Sequence, residues 1–295
     1  MSDFSAVFDK IPISIKGVHH KSKYSVIEST DSHYYLVLKK DKVDKDLILY
    51  LKSLSIVNSP LYEIGEFEIY PYFFQNISSY PLVDALCLLQ NKTIVVERLS
   101  HSTKSIIYQE LTNQIQNYIH YYEEIQNHIE SFSFPKIDYY CFLQNISLFY
   151  KSLSLAQYYL DQWNRSNDFS FRKVFSLHNV SNDTVFYFNN QLCFFDYHFG
   201  SFDYFFYDFV SYIQREWFSL NLESIWKLYQ EKMNLSLAEK NLLYCFLLLI
   251  KPISFTDSTY SNTVSIYYSL EYFDLIFRFL SKENENNKET DEKVF

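Results

Sequence analysis

With 295 residues the chain is long enough to bury a sizeable core, and 48% hydrophobic with 20% aromatic content excludes general disorder. A net charge of −9 without a compensating basic cluster argues against nucleic acid or an anionic membrane as the main partner, since either needs a basic face. Only three glycines occur, Gly17, Gly65 and Gly200, which limits the close backbone approaches that proteins use around phosphates.

The first ten residues have neither a basic n-region nor an apolar stretch, so no secretory leader is expected. Ile11–Lys16 and Lys23–Ser29 read as strands joined by a solvated loop, Gly17–Lys23. His19 and His20 in that loop would point to opposite faces and so not share a metal ion. After the turn Thr30-Asp31-Ser32, a third strand over His33–Leu38 ends in Lys39-Lys40. A helix over Val43–Leu54 places Leu47, Leu51 and Leu54 on one face. Leu61–Ile64 and Phe67–Phe73, flanking Gly65-Glu66, form a hairpin.

From Tyr80 the pattern turns helical, with Pro81 in a first turn and Leu82, Ala85, Leu86 and Leu89 along one face. Long helices fit Thr103–Glu130 and Pro135–Trp163. The stretch Ser176–Tyr212 interrupts them with a short strand ending in His178, a polar turn, and a hairpin of Val185–Phe188 and Gln191–Phe195 closed by Asp196. Helices resume over Asp203–Glu216, Leu222–Lys232, Ser236–Ile250 and Ser261–Leu280, and Ser236 with Glu239 suits a capping box. The last fifteen residues are charged and apolar-poor, the composition of a disordered tail. The longest apolar run, Leu242–Ile250, is too short to cross a bilayer. Four single cysteines (87, 141, 193 and 245) form no Cys-x-x-Cys pair and read as buried thiols of a reducing compartment.

This order of elements, with His178, then Asp196 eighteen residues later and Tyr207-Asp208 twelve further on, resembles the aminoglycoside phosphotransferase and choline kinase family. Within it the chain is similar to bacterial spore-coat kinase-like proteins. The resemblance implies an α+β, protein-kinase-like fold of two lobes: a β-rich N-lobe over residues 1–76, a helical C-lobe over 77–280, and a tail over 281–295. It also implies roles for particular residues. Lys39 matches the phosphate-neutralising lysine, although an exposed strand-end lysine fits equally; its usual helix glutamate is missing, and the only acids near that position, Asp44 and Asp46, are shorter. Tyr70 and Tyr72 lie in the hinge strand, where the backbone meets an adenine edge. His178 and Asp208 match structural positions, and Asp196 matches the metal-binding one.

Two positions depart from the pattern. Val180 stands where the family has its catalytic Asp, and Val185 where it has the loop Asn. Valine can neither accept a proton nor ligate magnesium. Asp183 could substitute only in a rebuilt loop. The expectation is therefore a kinase-like scaffold without catalysis, acting in binding or as a spore-coat-type component. The alternative is an ATP-dependent small-molecule phosphotransferase with an atypical site. No cofactor is expected beyond weak ATP/Mg binding. The partner is expected to be a protein or small molecule, with no nucleic acid and no membrane span, and the location cytoplasmic.

Overall fold

The structure, a computed structural model, describes residues 10–20, 24–39, 45–54, 60–72, 79–181, 185–188, 191–194 and 200–292. The chain divides into two compact units. One combines residues 1–94 with 174–209, the other 95–173 with 210–295.

In the first unit, β1 (Ile15–His20), β2 (Tyr24–Ser29), β3 (Tyr34–Lys39), β4 (Tyr62–Ile64) and β5 (Phe67–Tyr72) form one antiparallel sheet. Its strand order is β1-β2-β3-β5-β4. Alternation sends Val37, Ile69, Phe67 and Ile27 to one face, where Ile11, Ile13 and Ile15 pack over them. The other face carries Val26, Leu36, Tyr24 and Tyr70, with Tyr34, Leu38 and Tyr72 beside them. The β4–β5 turn needs a glycine. Gly65 has φ +60°, and a two-residue loop opening on glycine matches a type II′ hairpin turn.

The sheet departs from the expected pattern at β1. The strand starts at Ile15, with an irregularity between Ile15 and Gly17, and runs on through both histidines. His20 pairs with Ser25 and its Nδ1 lies 2.9 Å from the Ser25 hydroxyl, so His19 and His20 belong to the sheet and not to a solvated loop. Ile11 is buried without being a strand residue.

Two helices complete this unit's first segment: α1 (Lys45–Ser53), which buries Leu51, and α2 (Ser79–Thr93), which buries Leu82, Val83, Leu86 and Leu89. Strand β7 (Ser170–Ser176) leads into the second segment, where β8 (Val185–Phe188) pairs with β9 (Gln191–Phe194) in the expected hairpin. Strand β10 (Ser201–Tyr204) neighbours β7, and α5 (Tyr207–Glu216) follows. The lobe boundary expected near Phe73–Ser79 falls mostly outside the described residues.

The second unit is built on two long helices, α3 (His101–Glu130) and α4 (Ile137–Arg165). Around them are β6 (Val95–Arg98), α6 (Leu222–Met233), α7 (Leu237–Leu248) and α8 (Thr259–Glu292), with a 3₁₀ turn at Trp217–Ser219. Phe142, Phe149, Leu153, Ala156, Leu160 and Trp163 form the buried stripe of α4 at the 3–4 spacing of a helix face. Phe149 meets Tyr122 of α3 and Phe273 of α8 at centroid distances of 5.3 and 5.4 Å. Aromatic rings are thus a recurrent part of this core. Strand β6 pairs with residues 170–173 of β7. Arg172 there forks onto the Glu239 carboxylate and donates to the Met233 carbonyl (2.7 Å), and Ser236 and Glu239 form the expected capping box.

The tail expected from residue 281 is a correction. Helix α8 continues through Glu292, and its first turns past Leu280 are tied to the core. Trp226 Nε1 and the Tyr244 hydroxyl both donate to Glu283 (2.8 and 3.2 Å), and Asn284 Nδ2 donates to the Tyr159 hydroxyl (3.1 Å). Polar composition suited a solvated helix face as well as a free tail.

Candidate functional site

The residues singled out from the sequence fall in the first unit. The loop after β7 is held from below by Asp208 in the first turn of α5. The Leu177 and His178 amides donate to its two carboxylate oxygens at 2.7 and 2.8 Å, and the side chain has no solvent exposure. Burial pushes the Asp208 carboxyl up, while the two amides pull it back towards the charged form. This bonding lets the loop bend sharply: His178 sits at φ +58°, in the left-handed region that a non-glycine residue rarely occupies.

That bend directs the imidazole towards β10. His178 Nε2 shares a 2.7 Å hydrogen bond with the Ser201 hydroxyl, Asp203 Oδ2 lies at 3.9 Å, and Tyr207 packs edge-on at 4.8 Å between centroids. The partners of His178, Ser201 and Asp203, were not legible in the sequence. A strand as short as β10 leaves too few residues for a period to show. Gly200, just before β10, has a legible reason: a Cβ there would lie 2.1 Å from the ring of the buried Phe175.

Val180 has no solvent exposure and Val185 only 2%. Val185 faces Phe194 across the hairpin, and that ring is buried too. Val180 and Val185 are thus buried hydrocarbon rather than solvent-facing side chains. Asp196, Asp183 and Asp44 lie outside the described residues.

On the sheet, the expected nucleotide contacts divide. Lys39 stands opposite Phe67 and shares the face of Val37 and Ile69, whereas Tyr70 and Tyr72 stand opposite Leu36 and Tyr34 on the other face. Lys39 Nζ pairs with Glu66 in the exposed β4–β5 turn at 3.3 Å, a partner that the sequence reading missed because it sought a helix glutamate. Asp46 on α1 is exposed.

The hinge strand has its own limit. The Leu61 amide donates to the Ile69 carbonyl (2.8 Å), so Ile69 and, two residues on, Pro71 turn their backbone polar groups to the β4 side. Tyr70 and Tyr72 turn theirs to β3. Proline has no N–H, so Tyr70–Tyr72 offers a carbonyl on that edge but no donor. Among the described residues no cluster of three or more His, Cys, Asp or Glu side chains could hold a metal ion, and no helix is long and apolar enough to cross a membrane.

Comparison with known proteins bears on the fold. No family model matches the sequence, and no curated protein matches it. Among solved structures, an aminoglycoside phosphotransferase from Alicyclobacillus acidocaldarius superposes with a TM-score of 0.61 at 12% identity, covering 96% of each chain. A spectinomycin phosphotransferase bound to AMP gives a TM-score of 0.49 at 11% identity, over 94% of this chain and 93% of that one. At these identities the likeness is one of fold. The chain has the protein-kinase-like fold of the first of these, with a five-stranded antiparallel N-lobe sheet and a mainly helical C-lobe.

Proposed function

We propose that this chain is a catalytically impaired, kinase-like protein of the aminoglycoside phosphotransferase type, acting through binding, as a scaffold or coat-type component. The observation that carries this reading is the burial of Val180 and Val185. Phosphoryl transfer needs a base that orients the acceptor hydroxyl and oxygen ligands for the metal. Two buried valine side chains supply neither. The pairing of Lys39 with Glu66, and the donor-free edge at Pro71, support weak ATP/Mg binding at most, with a partner that is a protein or a small molecule. The single spacing of the four cysteines and the burial of Cys87 and Cys245 agree with a reducing, cytoplasmic setting.

The test is a nucleotide-induced thermal shift with and without Mg²⁺, run beside phosphotransfer assays on aminoglycoside, sugar and choline acceptors. No turnover and little Mg²⁺-dependent shift are expected. Turnover by the natural chain that disappears in Asp196→Ala would overturn the reading. It would favour the second one, a working small-molecule phosphotransferase with an atypical site. The intact hold of Asp208 on the loop amides is what keeps that reading open. Loss of a general base typically costs only about 10²–10⁴ in rate.

A further inference from the structure

The N-terminal ends of α4 and α8 lie side by side. Asn262 Nδ2 donates to the buried Asp138 carboxylate at 2.7 Å, and the Tyr267 hydroxyl lies beside the Cys141 thiol. The two contacts rise together along both helices, so the helices run parallel here. Outside this seam, large apolar side chains face solvent. Phe134 is 95% exposed, Tyr260 80% and Ile137 68%, and Tyr140, Tyr267 and Val264 are each about half exposed. Tyr260, Val264 and Tyr267 follow the i, i+4, i+7 spacing of one helix stripe, and Ile137 and Tyr140 follow i, i+3 on the neighbouring helix.

Six such side chains expose on the order of 700 Å², beyond the ~300–600 Å² of the largest apolar patch on a typical monomer. That is close to the ~800 Å² which each partner contributes to a stable interface of standard size. The rim chooses the occupant. Exposed Lys136 stands at the N-terminal end of the patch, and exposed Glu271 continues the Tyr260–Val264–Tyr267 stripe at its other end. A two-fold axis through the stripe, setting two α8 helices antiparallel, would bring the Lys136 end of each copy over the Glu271 end of the other.

We propose that this α4–α8 face is the contact surface of a two-fold dimer of the chain, sealed by Tyr260, Val264 and Tyr267 and oriented by Lys136 and Glu271 of opposite copies. The inference is independent of whether the chain retains phosphotransfer.

Sedimentation velocity of the full chain across a concentration series tests it, with far-UV circular dichroism as the check on folding. The natural chain should shift from monomer to dimer. Val264→Arg, an exposed change, should keep the fold and weaken association by roughly a hundredfold or more. Glu271→Lys alone and Lys136→Glu alone should each weaken it about threefold to tenfold, and the two together should restore it. A chain that stays monomeric at all concentrations overturns the proposal, as does a dimer indifferent to Val264→Arg. A monomer whose sedimentation with phosphatidylcholine–phosphatidylserine vesicles is lost in Val264→Arg also overturns it, giving the face to a lipid surface.

Discussion

At Val180 the side chain meets no solvent, so restoring a carboxylate there would place a charge out of reach of water. Desolvating a polar group without a partner costs about 1–3 kcal/mol on protein scales, and an ionised carboxylate more. Val180→Asp is therefore expected to lose about 3 kcal/mol or more of stability and to gain no phosphotransfer, which denaturant unfolding and a coupled ATP assay would measure. A variant as stable as the natural chain would mean that the loop opens easily and that Val180 borders a usable cleft. Asp208 shows the opposite situation: a buried carboxylate kept by two amide donors that reach it at short distance.

Among the elements, the cap of α7 offers a direct test. The Ser236 hydroxyl accepts from the Glu239 amide (3.2 Å) and bonds Asp168 (3.1 Å), so Ser236→Ala should cost about 1–2 kcal/mol, read as a lower denaturation midpoint at unchanged slope. Removing everything after Leu280 should cost a further ~1–3 kcal/mol, because Trp226 Nε1 and the Tyr244 hydroxyl would lose Glu283. Thermal unfolding that is unchanged by this truncation would show that α8 contributes nothing past Leu280. These two cases also separate what a sequence tells from what it withholds. The capping box is a local signal four residues long, and the β4–β5 and β8–β9 hairpins announce themselves through alternation around turn residues. Glu283 finds its partners 57 and 39 residues away, and no local pattern encodes that. Strands β6 and β10, four residues each, are too short for a period, and Lys39 meets Glu66 across the β3–β5 pairing, 27 residues away. The hydrogen bond from the His178 amide to Asp208 spans 30 residues, which no local pattern encodes. Nor was the burial of the two valines legible, because valine fits a cleft wall and a core alike.

For the whole molecule, the buried tyrosines set a pH limit. Burial raises the hydroxyls of Tyr122, Tyr159, Tyr244 and Tyr272 above the ordinary tyrosine range, and pushes Tyr212 up to about 12. Above about pH 10 an unfolded chain releases these protons while the folded chain keeps them, so stability falls as pH rises through that range. Tyrosinate absorbance should therefore appear in two stages, a reversible one from exposed rings and a later one coincident with loss of far-UV circular dichroism. A single smooth titration with the fold intact would contradict this. The division of the chain carries a different consequence, for synthesis. Residues 1–94 form a compact unit only with 174–209, so the polypeptide passes between the units at three points. A ribosome adding ~5–20 residues per second needs roughly 4–16 s to cover the intervening stretch of about 80 residues. During that interval the nascent sheet stands without the loop and hairpin that complete its unit, and a chaperone that shields apolar strands would find its opportunity there.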